Sequence, residues 1–168
     1  MQSTKQAVFL LGEEEYSFDI MDINTVEKVI PVDSVEGFTN NLRGSISLRG
    51  EIIPVYSLRR KFGLQDIPYD QDTRFIIIRL EDFKVAYEVD RMKEIVQLDE
   101  NQVYKTPSII QGKDTLYIKA VTKIEDRLII ILDDEGILTE DEYDTLINKK
   151  TPVKIKFKLF ESIKKLFQ

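Results

Sequence analysis

An all-β fold of two small barrels is predicted for this 168-residue chain, and three observations predict it. Apolar and polar residues alternate in short runs, the period-two pattern of half-buried strands. The runs lie close together with frequent turns, an arrangement that favours small barrels because closure removes exposed edges. The pattern also recurs. Shifted by 69 positions, Phe9, Leu11, Phe18, Ile20, Ile23 and Val26 fall on Ile78, Leu80, Tyr87, Val89, Met92 and Ile95. The chain therefore reads as two related β units, and its length suits one domain or two small subdomains around a shared core.

Five strands are expected in each half, near 6–11, 15–20, 25–30, 42–49 and 51–57, then near 74–80, 83–89, 94–98, 116–123 and 127–132. The clearest is 42–49. Leu42, Gly44, Ile46 and Leu48 share one face, and Arg43, Ser45, Ser47 and Arg49 the other. Strand geometry then projects Arg43 and Arg49 from the same face roughly 20 Å apart. Gly50 turns the chain into the next strand, where Pro54 marks an edge or a bulge. Leu58 to Phe62 reads as one helical turn. Leu48 to Val55 has a looser echo in Glu125 to Leu132, the counterpart in the second half.

Gln65 to Asp72 is polar, contains a proline and predicts the connection between the halves; a second irregular stretch runs from Asn101 to Asp114. Thr139-Glu140-Asp141-Glu142 has the form of a capping box. It predicts a helix through about Asn148 with Leu138, Tyr143, Leu146 and Ile147 on its apolar side. From residue 151 two periods compete: Val153, Ile155, Phe157 and Leu159 alternate as in a strand, whereas Phe157, Phe160, Ile163, Leu166 and Phe167 repeat at helical spacing. We read a basic amphipathic helix from about Lys156 to Phe167. Such a helix lies on an anionic membrane, docks in a partner's groove or covers the body of its own chain.

Composition excludes more than it selects. A chain that is 42% hydrophobic and 32% charged is of the soluble globular kind. It has no apolar run of membrane-spanning length and no signal-peptide core at its start, so a cytoplasmic location is expected. Zero His and zero Cys remove a Ser-His-Asp triad, a thiol nucleophile and the usual zinc ligands together. Carboxylate chemistry is the one enzymatic route left open, through Glu13-Glu14-Glu15, Asp133-Asp134-Glu135 or Glu140-Asp141-Glu142. Each run sits beside a turn or a helix start, where acidic side chains are solvated and suit the helix dipole. The seven glycines are scattered and form no phosphate loop. Catalytic residues, metal ligands and cofactors are therefore assigned to none of these positions. The net charge is −6, and residues 151–168 carry +4 of it, leaving −10 for residues 1–150. Such a body repels a nucleic acid backbone.

The run Gly44-Ser45-Ile46-Ser47-Leu48-Arg49-Gly50 followed by Ile53-Pro54-Val55-Tyr56-Ser57-Leu58 resembles the signature of the CheW family of chemotaxis adaptors. Tyr16 to Ile20, Phe75 to Ile78, Tyr87 to Asp90 and Leu128 to Leu132 extend the likeness over roughly residues 6 to 140. Four positions depart from the family pattern: Ser47 stands where Asn is usual, Ser57 where Asp is, Ala86 where Gly is common, and Ile23-Asn24-Thr25-Val26 replaces Val-x-Glu-Ile. Thr25 matters most, since the Glu at that place in the family is tied to partner contacts.

The resemblance implies two five-stranded SH3-like β-barrels on a shared core within residues 1–150. The first barrel would span about 15–65 and the second about 70–135, with the N-terminal strand and C-terminal helix packing across both and 151–168 as an extension. It implies a cytoplasmic, non-enzymatic scaffold associated with receptor arrays. Its partners would be the regulatory domain of a CheA-like histidine kinase and the cytoplasmic tip of methyl-accepting chemoreceptors. A diverged paralogue that binds kinase but not ordinary receptors is the alternative. The partner-binding positions that follow are Ile23, Thr25, Gly44 and Arg49, with Leu42, Ile46 and Ile95 as candidate groove walls. Taken alone, Arg49 is a solvated charge or a planar fork for a partner's carboxylate. Gly44 is a point of close backbone approach that also lets a partner come near.

Overall fold

The computed structural model describes residues 3–38, 40–105, 117–150 and 165–166. Among the described residues eleven strands form: β1 (Thr4–Leu11), β2 (Glu14–Asp19), β3 (Ile23–Lys28), β4 (Leu42–Leu48), β5 (Glu51–Ser57), β6 (Arg74–Arg79), β7 (Lys84–Val89), β8 (Arg91–Leu98), β9 (Val103–Lys105), β10 (Ile118–Ile124) and β11 (Arg127–Leu132). Ten match the expected runs. Short β9 lies inside the stretch expected to be irregular, and the rest of that stretch, 106–114, is outside the described residues. Helices α1 (Leu58–Lys61) and α2 (Glu140–Lys150) complete the fold.

The strands build two sheets, in the orders β8-β1-β2-β11-β10-β9 and β3-β6-β7-β5-β4. These are the two SH3-like subdomains, but among the described residues neither ladder closes, so each sheet keeps two edge strands. The expected split near residues 65–70 does not hold, because each half lends a hairpin to the other. β1 and β2 pair with β8 and β11, while β6 and β7 pair with β3 and β5. The barrel ranges 15–65 and 70–135 are thus replaced by an interleaved pair.

The internal repeat governs this exchange. At the offset of 69, Phe9↔Tyr16 in β1–β2 becomes Ile78↔Val85 in β6–β7, and Ala7↔Ile95 in β1–β8 becomes Ile76↔Val26 in β6–β3. Both edge ladders carry a bulge at the equivalent place, between Val8/Phe9 and between Ile23/Thr25. The β4–β5 hairpin maps onto β10–β11 at an offset of 76: Leu42↔Tyr56 becomes Ile118↔Leu132, and Gly44↔Val55 becomes Ala120↔Ile131. The sequence echo there is therefore one residue out of register. Because side chains alternate faces, such a slip exchanges inside for outside. The lasting mark of equivalence is the turn, with Arg49 at φ 49° and Glu125 at φ 56°.

Three cores result, and their placement explains the near-continuous apolar runs. In β6, Ile76 and Ile78 enter a core shared between the sheets, while Phe75 and Ile77 enter a second core of the five-stranded sheet. A strand buried on both faces needs this composition. The shared core is aromatic: Phe9, Phe18 and Tyr87 follow one another with ring centroids 5.4 Å apart, and Tyr56 meets Tyr87 edge-on at 5.7 Å. The corresponding inner core of the six-stranded sheet is smaller, built on Leu98, Ala120 and Ile131.

Charged staples join what the exchange brings together. The Arg59 guanidinium grips Asp90 with two hydrogen bonds of 2.8 and 2.6 Å, and the Gly12 N–H donates to the same carboxylate at 2.6 Å. One carboxylate thus ties α1, the β1–β2 turn and the β7–β8 junction. The capping box of α2 forms as expected, with Glu142 N–H to Thr139 Oγ1 at 3.1 Å and Thr139 N–H to Glu142 Oε1 at 3.0 Å. Glu142 also accepts the Tyr56 hydroxyl at 2.9 Å, which seats the helix on the shared core. The basic helix expected over 156–167 lies outside the described residues except for Lys165 and Leu166, which are helical and exposed.

Candidate functional site

The expected site residues separate into a surface group and an internal group. Ile23 and Thr25 lie on β3, an edge strand whose residues alternate half-buried and exposed from Ile23 to Lys28. Ile23 packs against the shared core, and Val26 is 41% exposed. Arg49 sits at the tip of the β4–β5 hairpin, and its Nη1 meets Glu27 Oε1 of β3 at 3.0 Å. Ile23, Thr25, Glu27 and Arg49 therefore belong to one flank of the five-stranded sheet. Ile95, 61% exposed, stands on the edge strand β8 of the other sheet, at the position the repeat matches to Val26.

Leu42 and Ile46, the candidate groove walls of β4, are buried, and Gly44 lies between them. Leu42 is buried in the shared core and Ile46 in the inner core of the five-stranded sheet, because the bulge between Leu42 and Gly44 rotates the strand between them. Gly44 is required by its own chain: a Cβ there would lie 2.2 Å from the Asp33 carbonyl oxygen, where Asp33 and Ser45 exchange two backbone hydrogen bonds of 2.8 and 2.9 Å. The same bulge, with the left-handed Arg49, breaks the alternation expected to align Arg43 with Arg49. Arg43 instead turns to Glu88 of β7 at 3.3 Å and lies over the Tyr69 ring.

Arg49 and Gly50, at φ 49° and 83°, give the two positive-φ residues of a hairpin turn whose twist matches the strands. Gly adopts this conformation freely, whereas Arg does so at a cost of about 1–2 kcal/mol. The guanidinium gains little in return, since its side chain is 69% exposed and an exposed ion pair contributes under about 1 kcal/mol. A costly conformation holding a solvated, forked cation is an arrangement suited to recognition of an external carboxylate. Two residues before Glu27 on β3, the Thr25 hydroxyl oxygen is buried without a hydrogen-bond partner. Sequence reading missed Glu27, although alternation places it on the face of Thr25; the bulge between Ile23 and Thr25 puts Ile23 on the other face. It also missed Ile52, 79% exposed, and Leu128, 59% exposed, which occupy equivalent positions one step past the two hairpin turns.

Two departures from the family pattern have local explanations. Ser57 caps α1, its hydroxyl accepting the Arg60 N–H at 3.2 Å, a role an Asp side chain fills in the same way. Ala86 is fully buried in the inner core of the five-stranded sheet. Among the described residues no cluster of three acidic side chains is arranged to hold a metal ion, and no helix is long and apolar enough to cross a membrane. The acidic run expected near residue 134 does show crowding. Burial, then the neighbouring Asp22, Asp133 and Glu135, push the Asp134 carboxyl up to about 6.

A family model described as CheW-like domain matches residues 6–142. The chain belongs to the CheW family. It is 32% identical to the chemotaxis protein CheW of Helicobacter pylori over 79% of this chain and 80% of that protein. It is 27% identical to that of Bacillus subtilis over 85% and 92%. The crystal structure of the scaffolding protein TtCheW from Thermoanaerobacter tengcongensis superimposes with a TM-score of 0.75 at 30% identity, covering 84% of this chain and 92% of that one. Membership in this family makes the chain a chemotaxis adaptor of SH3-like build, and the solved relative is titled a scaffolding protein.

Proposed function

We propose that this scaffold couples the cytoplasmic tip of a chemoreceptor to the regulatory domain of a CheA-like histidine kinase, binding both at once. The observation that carries the reading is Arg49: a solvated guanidinium held in a left-handed turn and oriented by Glu27 of the adjacent edge strand. Signalling would then be a population shift in the kinase, which requires contacts that differ between its active and inactive states. For this no phosphate need pass through the chain, which has no His to carry one.

Thr25 favours a second reading, a paralogue that keeps the kinase contact and has lost ordinary receptor coupling. Its hydroxyl replaces a carboxylate and is buried without a partner. Against this, Glu27 supplies a carboxylate on the same face of β3, one pleat along, already engaged with Arg49. Calorimetric titration of the kinase regulatory domain into the wild type and Arg49→Ala tests the first reading. Saturable one-to-one binding, weakened about tenfold by the substitution, is the expected result; equal affinities would remove Arg49 from the interface. Receptor-tip binding measured with and without kinase separates the two readings.

A further inference from the structure

The repeat exposes an asymmetry between the two subdomains. In the five-stranded sheet one end of the inner core is closed by an aromatic plug: the Tyr69 hydroxyl donates to Glu88 Oε2 at 2.7 Å, its ring meets Phe75 edge-on at 5.9 Å, and the Arg43 guanidinium lies 5.2 Å from its centroid. The offsets of 69 and 76 carry this surrounding onto the other sheet. Glu88 becomes Asp19, Phe75 becomes Gln6, Arg43 becomes Lys119, Gly44 becomes Ala120 and Val55 becomes Ile131. Those five counterparts line an open cavity of about 870 Å³. Among the described residues no side chain is placed there as Tyr69 is.

The cavity has a built floor. Ser17 Oγ donates to Gln6 Oε1 at 2.8 Å, Gln6 Nε2 to Thr4 Oγ1 at 2.9 Å, and Thr4 Oγ1 to Asp19 Oδ2 at 3.0 Å. Gln6 and Ser17 are buried, so the relay is a fixed feature of the interior that ends on a rim carboxylate. Apolar contact comes from Val103, Ile131 and Met21, the last 86% exposed.

We propose that this cavity is a docking socket for a tyrosine side chain presented by a partner polypeptide, seated as Tyr69 is seated in the sister subdomain. The hydroxyl donates to Asp19, the ring lies against Ile131 and Val103, and Lys119 holds the chain position of Arg43. Gln6 in place of Phe75 makes the deep end polar, and the rim carboxylate of Asp19, which already accepts from Thr4 Oγ1 and the Met21 N–H, has acceptor capacity left for a phenol hydroxyl, which a plain phenyl ring cannot use. The socket is apart from the Arg49 flank and goes beyond the kinase and receptor reading.

The test is a backbone amide NMR titration of the full chain with N-acetyl-tyrosinamide and, in parallel, N-acetyl-phenylalaninamide. Saturable shifts at Gln6, Asp19, Val103 and Ala120, with the tyrosine probe at least threefold tighter, are expected. Asp19→Asn should weaken that binding threefold or more, and Ala120→Leu, which fills the cavity, should abolish it. Equal shifts from both probes, or shifts that survive Asp19→Asn unchanged, overturn the proposal even if Ala120→Leu fails to fold. It is also overturned if Phe157→Ala, Phe160→Ala or Phe167→Ala moves the same amides without any probe, since the chain's own C-terminal segment would then occupy the socket.

Discussion

At the scale of single residues, Arg49 and Gly44 show how one motif divides between recognition and folding. Replacing Arg49 by Gly removes a left-handed side chain and one exposed ion pair. Unfolding stability is predicted to rise by about 1 kcal/mol in denaturant titration while kinase affinity falls. Gly44→Ala is predicted to lower stability instead. Its Cβ meets fixed backbone at Asp33, so it should cost about 1–3 kcal/mol before any partner is added. Asp134 offers a pH signature. Its folded-state pKa of about 6 lies above the ordinary carboxylate value, so its ionisation opposes folding, and stability is lost as pH rises from about 4 through 6. Asp134→Asn should therefore stabilise the protein at pH 7.5, by about 1 kcal/mol once solvent screening of this half-exposed group is counted. The gain should vanish at pH 3.5, as comparison of unfolding curves at the two pH values will show.

At the scale of elements, sequence logic reached whatever neighbouring residues decide. The β4–β5 hairpin and the α2 capping box are written in adjacent side chains, and both appear where expected. Thr139→Ala should cost about 1 kcal/mol, measurable by chemical denaturation, because the first turn of α2 loses its cap. What depends on distant chain was not legible. The bulge that turns Leu42 and Ile46 into different cores is imposed by the β5 register and the crossing Val32–Asp33 segment, neither of which leaves a periodicity in residues 42–48. Nor is β9 announced, since three residues are too few to show alternation. Pro54 meets its expected edge only locally. It lies in an interior strand, but just before the β5–β7 ladder begins at Val55.

At the scale of the whole molecule, the repeat was visible as pattern but its exchange of hairpins was not, because side-chain periodicity records which face is buried and not which strand is the neighbour. The consequence is mechanical unity. With β1–β2 completing one sheet and β6–β7 the other, neither half contains a finished sheet. Cleaving the chain within 65–72 should yield fragments that lack native circular dichroism alone and recover it on mixing. Two independently folded fragments would show that the subdomains are separable. Asp90→Ala, which releases Arg59 and Gly12 together, should cost about 1.5–3 kcal/mol while unfolding remains a single transition. Such a rigid body suits a scaffold that must hold two partners in fixed relation. The most direct test is sedimentation velocity of the chain mixed with the kinase regulatory domain and a soluble receptor-tip fragment. Simultaneous coupling predicts a ternary boundary that sediments faster than either binary complex and is diminished by Arg49→Ala; a mixture of binary complexes alone, each partner displacing the other, would contradict it.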